Sequence, residues 1–232
     1  MMALESQLKN QLKHGLQELG IDLSEVSQQA LITYLSEFQR WNKTHNLSAI
    51  QESEESLKLH ILDSLAVLPT LDTFYFDQTD VTLGDLGTGG GLPGIPLAIC
   101  RPQWSFVLVD AVQKKTTFLE MIVAKLKLSN VQVIHGRIEQ LSKDFPGTLS
   151  TCISRAFSDL GQFIALAQPL CQPGSPLWAM KAKVPQEDLN SIPEAWAIDQ
   201  DVPLKIPGLD AQRRLLRLVD MRQSHSPKTI TQ

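Results

Sequence analysis

Five glycines within eight residues constrain the fold of this chain more than any other feature of its sequence. The segment 87–94 (GTGGGLPG) directly follows an apolar stretch, 81–86 (VTLGDL), that is typical of a strand. Glycine residues adopt positive φ angles, and they let a ligand approach the backbone because no Cβ stands in the way. Ligands of open parallel sheets bind at the carboxyl ends of the strands, where such a loop lies. The segment therefore predicts an α/β protein with a ligand-binding loop.

From residue 81 onward, short β-rich stretches alternate with stretches that are long enough for helices. The predicted strands are 81–86, 105–110, 130–134, 149–153 and 176–180, and two more, Leu204–Ile206 and Leu215–Val219, lie around a Pro207–Gly208 turn. Strands that alternate with helices form a parallel sheet with helices on both faces. We therefore predict an α/β fold with a doubly wound, mostly parallel seven-stranded sheet.

The first 78 residues have a helical period and predict an N-terminal helical cap. One helix follows Leu4, Leu8, Leu12, Leu16 and Leu19 and stops at Gly20. A second helix starts at Ser24, and its apolar stripe consists of Val26, Ala30, Tyr34, Phe38 and Trp41. A third runs from near Ser53 to Leu65, before Pro69. The predicted organisation is a cap at 1–78, a core domain at 79–222 and a flexible tail at 223–232.

Composition and charge argue against several classes of protein. Hydrophobic residues make up 43% of the chain, and no apolar run is long enough for a membrane span. The three cysteines lie far apart without metal-ligand spacing, which predicts buried thiols in a reducing compartment. The net charge of −4 argues against a basic nucleic-acid coat protein, but a polyanion would first meet the C-terminal part with Arg213, Arg214, Arg217 and Arg222. We expect a soluble, cytoplasmic protein.

An acidic residue follows the glycine loop at the spacing of a nucleoside site. Asp110 ends the second predicted strand, 19 residues beyond Gly91, where a carboxylate can accept hydrogen bonds from both hydroxyls of a ribose. Gly89, Gly91 and Gly94 match the GxGxxG fingerprint of NAD-binding oxidoreductases. Read from Asp85, the same segment matches the Asp-x-Gly-x-Gly-x-Gly pattern of S-adenosylmethionine-dependent methyltransferases. A tight turn without a ligand is a third interpretation.

Three features favour the methyltransferase interpretation. Asp85 stands two residues before the first glycine, where it can face the ammonium group of the cofactor. Pro93 and Pro96 restrict the first turn of the next helix, whose amides a pyrophosphate would need. The helical cap precedes the loop, whereas NAD-binding domains usually place this loop near their start. The sequence therefore favours S-adenosylmethionine as the cofactor.

Motifs along the chain resemble those of a known family. The segment Leu83–Leu97 (LGDLGTGGGLPGIPL) is similar to that of the glucose-inhibited division protein B family, the bacterial small-subunit ribosomal RNA guanine-N7 methyltransferases. Further matches, in the same order, are Trp41–Leu47, His60–Ser64, Asp110 with Lys114 and Lys115, Gly136–Glu139, Ser154–Phe157 and Met180–Lys181. The resemblance covers residues 25–220. It departs at Gly90, where the family commonly has Pro, Ser or Ala, and at Ala182, where the family commonly has Gly.

The resemblance implies a class I methyltransferase (Rossmann-like) fold, with S-adenosyl-L-methionine bound by the core domain. The cofactor-binding residues would be Asp85, Gly87, Gly89, Gly91, Leu92, Asp110, Arg155, Ile138 and Glu139, the last two at the adenine. The residues that contact RNA would be Asn46, His60, Lys181 and Arg213, of which the last two suit phosphates. Asp63, Arg155 and Lys181 would serve catalysis, with Asp63 as an acceptor near the charge that moves onto the base.

The implied reaction needs no general base, because guanine N7 carries an in-plane lone pair and no proton. A target base must be exposed before it reaches the cofactor, and an acidic protein binds naked RNA weakly. The implied partner is therefore 16S ribosomal RNA in the small ribosomal subunit or an assembly intermediate, with no membrane and no metal. Two alternatives remain open: a small-molecule methyltransferase with the cap as a lid, and a non-catalytic RNA-assembly factor with a nucleoside pocket.

Overall fold

A computed structural model describes residues 2–50, 52–141, 143, 145–155, 157 and 159–223 of the chain. Of the predicted flexible tail, 223–232, only Gln223 lies within these residues, so that prediction is outside the described part. The strands are β1 (Thr82–Leu86), β2 (Ser105–Asp110), β3 (Val131–His135), β4 (Thr151–Ser154), β5 (Leu177–Lys181), β6 (Trp196–Leu204) and β7 (Arg213–Asp220). They form one sheet and confirm the predicted seven-stranded architecture.

The strand order places the glycine loop at the point where the sheet changes direction. The order is β3-β2-β1-β4-β5-β7-β6, in which β1 to β5 run parallel and β7 is antiparallel to both of its neighbours. The chain leaves β1 toward β2 on one side, and it later returns to β4 on the other side. Ligands of doubly wound sheets bind at such a switch point, outside the carboxyl ends of the strands.

Helices cover both faces of the sheet. They are α1 (Met2–Glu18), α2 (Glu25–His45), α3 (Ser53–Ser56), α4 (Asp63–Leu65), α5 (Leu68–Phe74), α6 (Gly94–Cys100), α7 (Gln113–Leu126), α8 (Ile138–Leu141), α9 (Leu160–Ala167) and α10 (Gln186–Asn190). A π-helical turn, Leu57–Leu62, joins α3 to α4, and a 3₁₀ turn, Gln168–Leu170, follows α9.

Alternate residues of the central strands enter two separate hydrophobic clusters, because successive side chains of a strand point to opposite faces. Phe106 and Leu108 pack with residues of α1, α2 and α7, whereas Val107 and Val109 pack with residues of α9. The helices of the first 78 residues thus share one core with the sheet. The division of the chain into a cap, 1–78, and a core domain, 79–222, stays a prediction.

Two details of the predicted helices are wrong. Val26 does not belong to the buried stripe of α2, since it lies in the first turn of that helix and is 80% exposed. Pro69 does not end the helical region but occupies the first turn of α5, where its missing N–H would have no intrahelical partner. The stripe itself is confirmed at Tyr34 and Phe38, both of which are buried.

The sixth strand lies earlier in the chain than its predicted position. The prediction was Leu204–Ile206, but β6 ends at Leu204 and begins at Trp196. Its middle, Asp199–Asp201, is polar and half-exposed or exposed, and Pro203 lacks a donor for the ladder. Both features are tolerated because β6 is an edge strand, and both hide the strand from a hydrophobic pattern. The seventh strand and the turn at Gly208 are confirmed.

All three cysteines are buried and free, as predicted for their burial. The thiols of Cys152 and Cys171 lie 3.4 Å apart, where one donates a hydrogen bond to the other. Among the helices in the described part of the chain, none has the length and apolarity that a membrane crossing requires.

Candidate active site

The glycine loop connects β1 to α6 and has a backbone that requires glycine. Gly87, Gly89 and Gly91 have φ angles of 70°, 63° and 98°, in the region that side chains disfavour. A Cβ at Gly91 would also lie 2.5 Å from Cγ1 of Ile95 and 2.8 Å from Cδ2 of Leu119. A Cβ at Gly89, by contrast, would meet nothing within 4 Å, so the backbone there faces open space.

Asp85 holds the loop from below. Its Oδ2 accepts hydrogen bonds from the Thr88 hydroxyl at 2.6 Å and from the Gly94 amide at 2.8 Å, at the start of α6. The side chain is fully buried, and burial raises the pKa of this carboxyl to about 6. Among the residues that the structure describes, Oδ1 has no hydrogen-bond partner. The predicted contact of Asp85 with the cofactor ammonium group stays a prediction.

Asp110 fixes the loop from the neighbouring strand. Oδ2 of this residue accepts a hydrogen bond from the Gly89 amide, and Oδ1 accepts one from the Val112 amide, both at 2.9 Å. The ammonium group of Lys115 lies 3.5 Å from Oδ2. The end of β2 thus carries a carboxylate, 6% exposed, next to the loop.

Two cavities adjoin at the carboxyl ends of the strands. The first, which we call the loop cavity, has a volume of about 270 Å³ and is bordered by the glycine loop. Its lining residues are Phe38, Leu47, Ser48, His60, Gly87, Thr88, Gly89, Gly90, Leu92, Lys115 and Arg155. The second, the arginine cavity, has a volume of about 410 Å³. Its lining residues are Ser48, Ile50, Leu59, His60, Asp63, Arg155, Met180, Lys181, Ala182 and Arg213.

Three residues line both cavities and form the junction between them: Ser48, His60 and Arg155. They come from the loop after α2, from the π-helical turn and from the segment after β4. The predicted site residues His60, Asp63, Arg155, Lys181 and Arg213 therefore meet at one place, although they span more than half of the sequence.

Asp63 lies between the two arginines of this site. Its Oδ2 accepts a hydrogen bond from Nη1 of Arg155 at 3.1 Å, and its Oδ1 accepts one from Nε of Arg213 at 2.9 Å. The Asp63 side chain is only 3% exposed, whereas those of Arg155 and Arg213 are 28% and 25% exposed. The carboxylate therefore orients both guanidinium groups toward a cavity that they partly line.

The π-helical turn accounts for the position of these contacts. The amide of Asp63 donates to the carbonyl of Lys58, five residues earlier, instead of to that of Leu59. The carbonyl of Leu59 accepts a hydrogen bond from Nη1 of Arg155 at 3.0 Å. Single π-turns within helices are frequent at functional sites. Here the turn lets one helical segment bring Leu59, His60 and Asp63 to the arginine cavity.

His60 is a neutral, buried residue of the junction. Its Nε2 lies 3.1 Å from the Ser48 hydroxyl, and its ring centroid lies 5.0 Å from that of Phe38. Burial lowers the pKa of His60 to about 4, and the positive charge of Arg155 lowers it further. The imidazole is therefore uncharged at pH 7.

Lys181 is held more tightly than a residue that contacts phosphate needs to be. Its Nζ lies 2.5 Å from Oδ2 of Asp188 and donates to the carbonyl of Phe157 at 3.2 Å. The two charged side chains are 9% and 5% exposed. Lys181 thus links β5 to the segment that follows Arg155, and its predicted phosphate contact would compete with a buried ion pair.

Asn46 differs from its prediction as an RNA-contacting residue, because it lines neither cavity. It is the C-cap of α2 in a left-handed conformation (φ 51°), and its neighbours Leu47 and Ser48 line the loop cavity instead. Ile138 and Glu139 begin α8, after the carboxyl end of β3. Glu139 is exposed and Ile138 is half-buried, and their predicted role at the adenine stays a prediction.

The C-terminal arginines do not form a free basic patch. Arg214 pairs with Asp201, Arg217 with Asp199, and Arg222 with Asp220. The carboxylates lie on β6 or at the end of β7, so the charges cancel within the antiparallel pair. The expectation that a polyanion meets this cluster first is therefore wrong for these three arginines. Arg213 differs because it faces the arginine cavity.

Sequence reasoning missed the residues that support the site. Ser48, at the junction, is held by Asn42, whose Oδ1 accepts from the Ser48 amide at 2.7 Å and whose Nδ2 donates to Ile50. Phe38 packs on Gly90, where a Cβ would lie 2.3 Å from its ring. That contact is a physical reason for glycine at this position of the chain. The motif Trp41–Leu47 was the one signal that pointed to this loop.

Comparisons with known proteins assign the chain to a family. Residues 27–217 match the GidB family, described as rRNA small subunit methyltransferase G. The ribosomal RNA small subunit methyltransferase G of Polynucleobacter asymbioticus is 42% identical over 214 residues, which is 92% of this chain and 96% of that protein. The protein of the same name from Nitrosospira multiformis is 43% identical over 215 residues, which is 90% of this chain and 95% of that protein.

Solved structures share the fold at low identity. An O-methyltransferase from Bacillus cereus, solved in complex with SAH, matches with a TM-score of 0.54 and 15% identity over 81% of this chain and 90% of that one. A SAM-dependent methyltransferase from Aquifex aeolicus matches with a TM-score of 0.50 and 14% identity over 72% of this chain and 97% of that one. These likenesses confirm the predicted class I methyltransferase fold. With the family match over most of its length, the chain belongs to the rRNA small subunit methyltransferase G family.

Proposed function

We propose that this chain transfers a methyl group from S-adenosyl-L-methionine to N7 of a guanine in 16S ribosomal RNA. The observation that carries the proposal is the junction of the two cavities. One cavity is bordered by a glycine loop of the methyltransferase pattern, the other by charged side chains, and Arg155 lines both. A donor in the first cavity and an acceptor base in the second would meet at the junction.

The loop cavity suits S-adenosylmethionine, which supplies an electrophilic methyl group on a positively charged sulfur when it is bound. Open space over Gly89 leaves the loop backbone accessible, and Leu92 contributes an apolar wall. Asp110 would accept hydrogen bonds from the ribose hydroxyls, and Ile138 and Glu139 would contact the adenine. The acidic Asp85 beneath the loop would favour the positively charged end of the cofactor.

The residues of the junction would align the base and exclude water. No side chain has to remove a proton, because N7 attacks with a lone pair that carries none. Holding the two reactants in line can supply up to ~7–11 kcal/mol of the barrier. His60 is neutral and would pack against the base without adding charge. Asp63, Arg155, Lys181 and Arg213 border the base, and Asp63 orients the two arginines.

The proposed substrate is the RNA within a small ribosomal subunit or an assembly intermediate, in the cytoplasm. The chain has a net charge of −4, and three of its four C-terminal arginines are paired internally. Charge alone therefore gives it little affinity for RNA. The shape of a particle would supply the remaining affinity and would present the target base outside a stacked helix.

Labelled-methyl transfer tests the proposal. The purified chain is incubated with S-adenosylmethionine that carries a labelled methyl group and with small ribosomal subunits from cells in which the gene for this chain is deleted. We expect stoichiometric labelling of 16S RNA, at one guanine that becomes sensitive to strand cleavage at N7-methylguanine. Large ribosomal subunits serve as the control and should stay unlabelled.

The alternatives give different results in the same assay. A small-molecule methyltransferase would leave every RNA unlabelled and would turn over a small acceptor. A non-catalytic assembly factor would bind the subunit equally well with and without the methyl donor and would leave no methyl group behind. Either result would overturn the proposed function.

A further inference from the structure

The hydrogen-bonding side chains of the arginine cavity consist mostly of donors. Arg155, Lys181 and Arg213 can only donate. Among the described residues that line the cavity, Asp63 supplies the only carboxylate. Each of its oxygens already accepts a hydrogen bond from a guanidinium group, and the side chain is 3% exposed. The Ser48 hydroxyl is occupied as well, by the Ile50 amide at 3.1 Å and by His60.

This inventory favours one edge of a purine over the others. On guanine the 6-keto oxygen, an acceptor, lies beside N7, whereas N1–H and the 2-amino group are donors on the opposite side. On adenine the position beside N7 carries an amino group, a donor. A wall of donors next to the reacting nitrogen therefore matches a 6-keto purine and opposes a 6-amino purine. Recognition of N1–H and the 2-amino group would need a free acceptor, which the described side chains do not offer.

We propose that the chain selects its acceptor base by the 6-keto oxygen, through Arg155, and that it does not read the 2-amino group. The inference rests on the proposed function and adds the rule of base selection. Arg155 lines both cavities, so it lies where N7 must meet the methyl group and where the 6-keto oxygen is its neighbour. Nη1 of Arg155 is held by Asp63 and by the Leu59 carbonyl, at 3.1 and 3.0 Å. Its other nitrogens are left for the base.

Asp63 acts as a positioning residue in this scheme. It holds Arg155 on one side and Arg213 on the other, so the three side chains together carry one positive charge instead of two. Methyl transfer moves the positive charge of the sulfonium onto the purine. A single net positive charge beside the cationic product is less repulsive than two, so the carboxylate also limits the electrostatic cost of that step.

The test uses small ribosomal subunits reconstituted with one altered nucleotide at the methylated position. Guanosine, inosine and 2-aminopurine riboside are compared, since inosine lacks only the 2-amino group and 2-aminopurine lacks the 6-keto oxygen. Each kcat/KM is divided by the rate at which dimethyl sulfate methylates N7 of the same nucleotide, which removes differences in nucleophilicity. We expect inosine within about threefold of guanosine, and 2-aminopurine about a hundredfold lower or more.

Two variants assign the discrimination to residues. In Arg155→Lys and in Asp63→Asn, the ratio of guanosine to 2-aminopurine should fall about tenfold or more, whatever happens to the absolute rate. Arg214→Ala, whose side chain pairs with Asp201, should keep the wild-type ratio. An unchanged ratio in both site variants would overturn the role of Arg155. Inosine rejected a hundredfold beside normal methylation of guanosine would overturn the selection rule, whereas unmethylated guanosine would contradict the proposed function itself.

Discussion

Single residues of the glycine loop connect its backbone geometry to its proposed ligand. Three carboxylate contacts hold the loop: Asp85 to Thr88, Asp85 to Gly94, and Asp110 to Gly89. Buried charge-assisted hydrogen bonds of this kind are stronger than neutral ones. The loop is therefore ordered before a ligand arrives, which reduces the entropy that binding has to overcome.

A side chain at Gly91 should disrupt the loop. In Gly91→Ala, a Cβ would clash with Ile95 and Leu119 at a residue whose φ is 98°. We expect a loss of about 2 kcal/mol or more in the free energy of unfolding, together with weaker S-adenosylmethionine binding. The matched control is Gly20→Ala, where φ is 68° but a Cβ meets nothing within 4 Å. Denaturant titrations that give equal losses for both variants would contradict the clash.

His60 should make the protein sensitive to acid. Its pKa is lowered from 6.5 to about 4 in the folded state, so the unfolded state binds more protons between these values and stability falls as the pH falls. His60→Asn removes this effect. Between pH 6.5 and 4, unfolding free energies of this variant should rise relative to wild type by on the order of 3 kcal/mol.

Asp85 provides a control of opposite sign. Its pKa is raised from 3.8 to about 6, so the folded state binds more protons and the cost of the buried charge is relieved as the pH falls through 6. Asp85→Asn should therefore lose stability relative to wild type between pH 6 and 3.8. Parallel pH profiles for the two variants would contradict both assignments.

At the scale of elements, the π-helical turn and the antiparallel pair β6–β7 form opposite sides of the arginine cavity. The turn contributes His60 and Asp63, and β7 contributes Arg213 at its first residue. The next residue, Arg214, is exposed and pairs with Asp201 across the strands. Neighbouring residues of a strand face opposite ways, so two adjacent arginines have different surroundings.

Adjacent arginines of β7 should therefore differ in function. Arg213→Ala removes a cation from the cavity and should lower kcat/KM for the small subunit tenfold or more. Arg214→Ala removes an exposed pair, of a kind worth about 0–1 kcal/mol, and should change kcat/KM less than about twofold. Methylation rates measured at two salt concentrations check this prediction. Equal losses for both variants would mean that the whole strand contacts RNA.

Elements with a clear apolar period could be predicted from the sequence, and those without it could not. The strand pattern of β2 (SFVLVD) and the period of α2 placed these elements correctly, since each buries a continuous face. The polar edge strand β6 and the short helix α5 have no such face. Within the site, Asp110 and Arg155 could be predicted because each follows a strand. Ser48 depends on a hydrogen bond with Asn42, which no local pattern indicates.

At the scale of the whole molecule, charge and shape have separate roles. The acidic residues lie mainly in the N-terminal helices, and most C-terminal arginines are paired. We therefore expect small-subunit particles to be methylated at least about tenfold faster than protein-free 16S RNA, with a shallow dependence of binding on salt. Rates and filter-binding affinities for the two substrates provide the measurement. Equal methylation of naked RNA would contradict recognition by shape.

The account depends on the glycine loop and Asp110 as a site for S-adenosylmethionine, and calorimetric titration tests this most directly. S-adenosylmethionine and, as a control ligand, NAD are titrated into the wild-type chain and into Asp110→Ala. We predict saturable binding of S-adenosylmethionine alone, weakened about tenfold or more in the variant, since a ribose would lose its charged acceptor. Binding of NAD in place of S-adenosylmethionine, or binding of neither, would contradict the account.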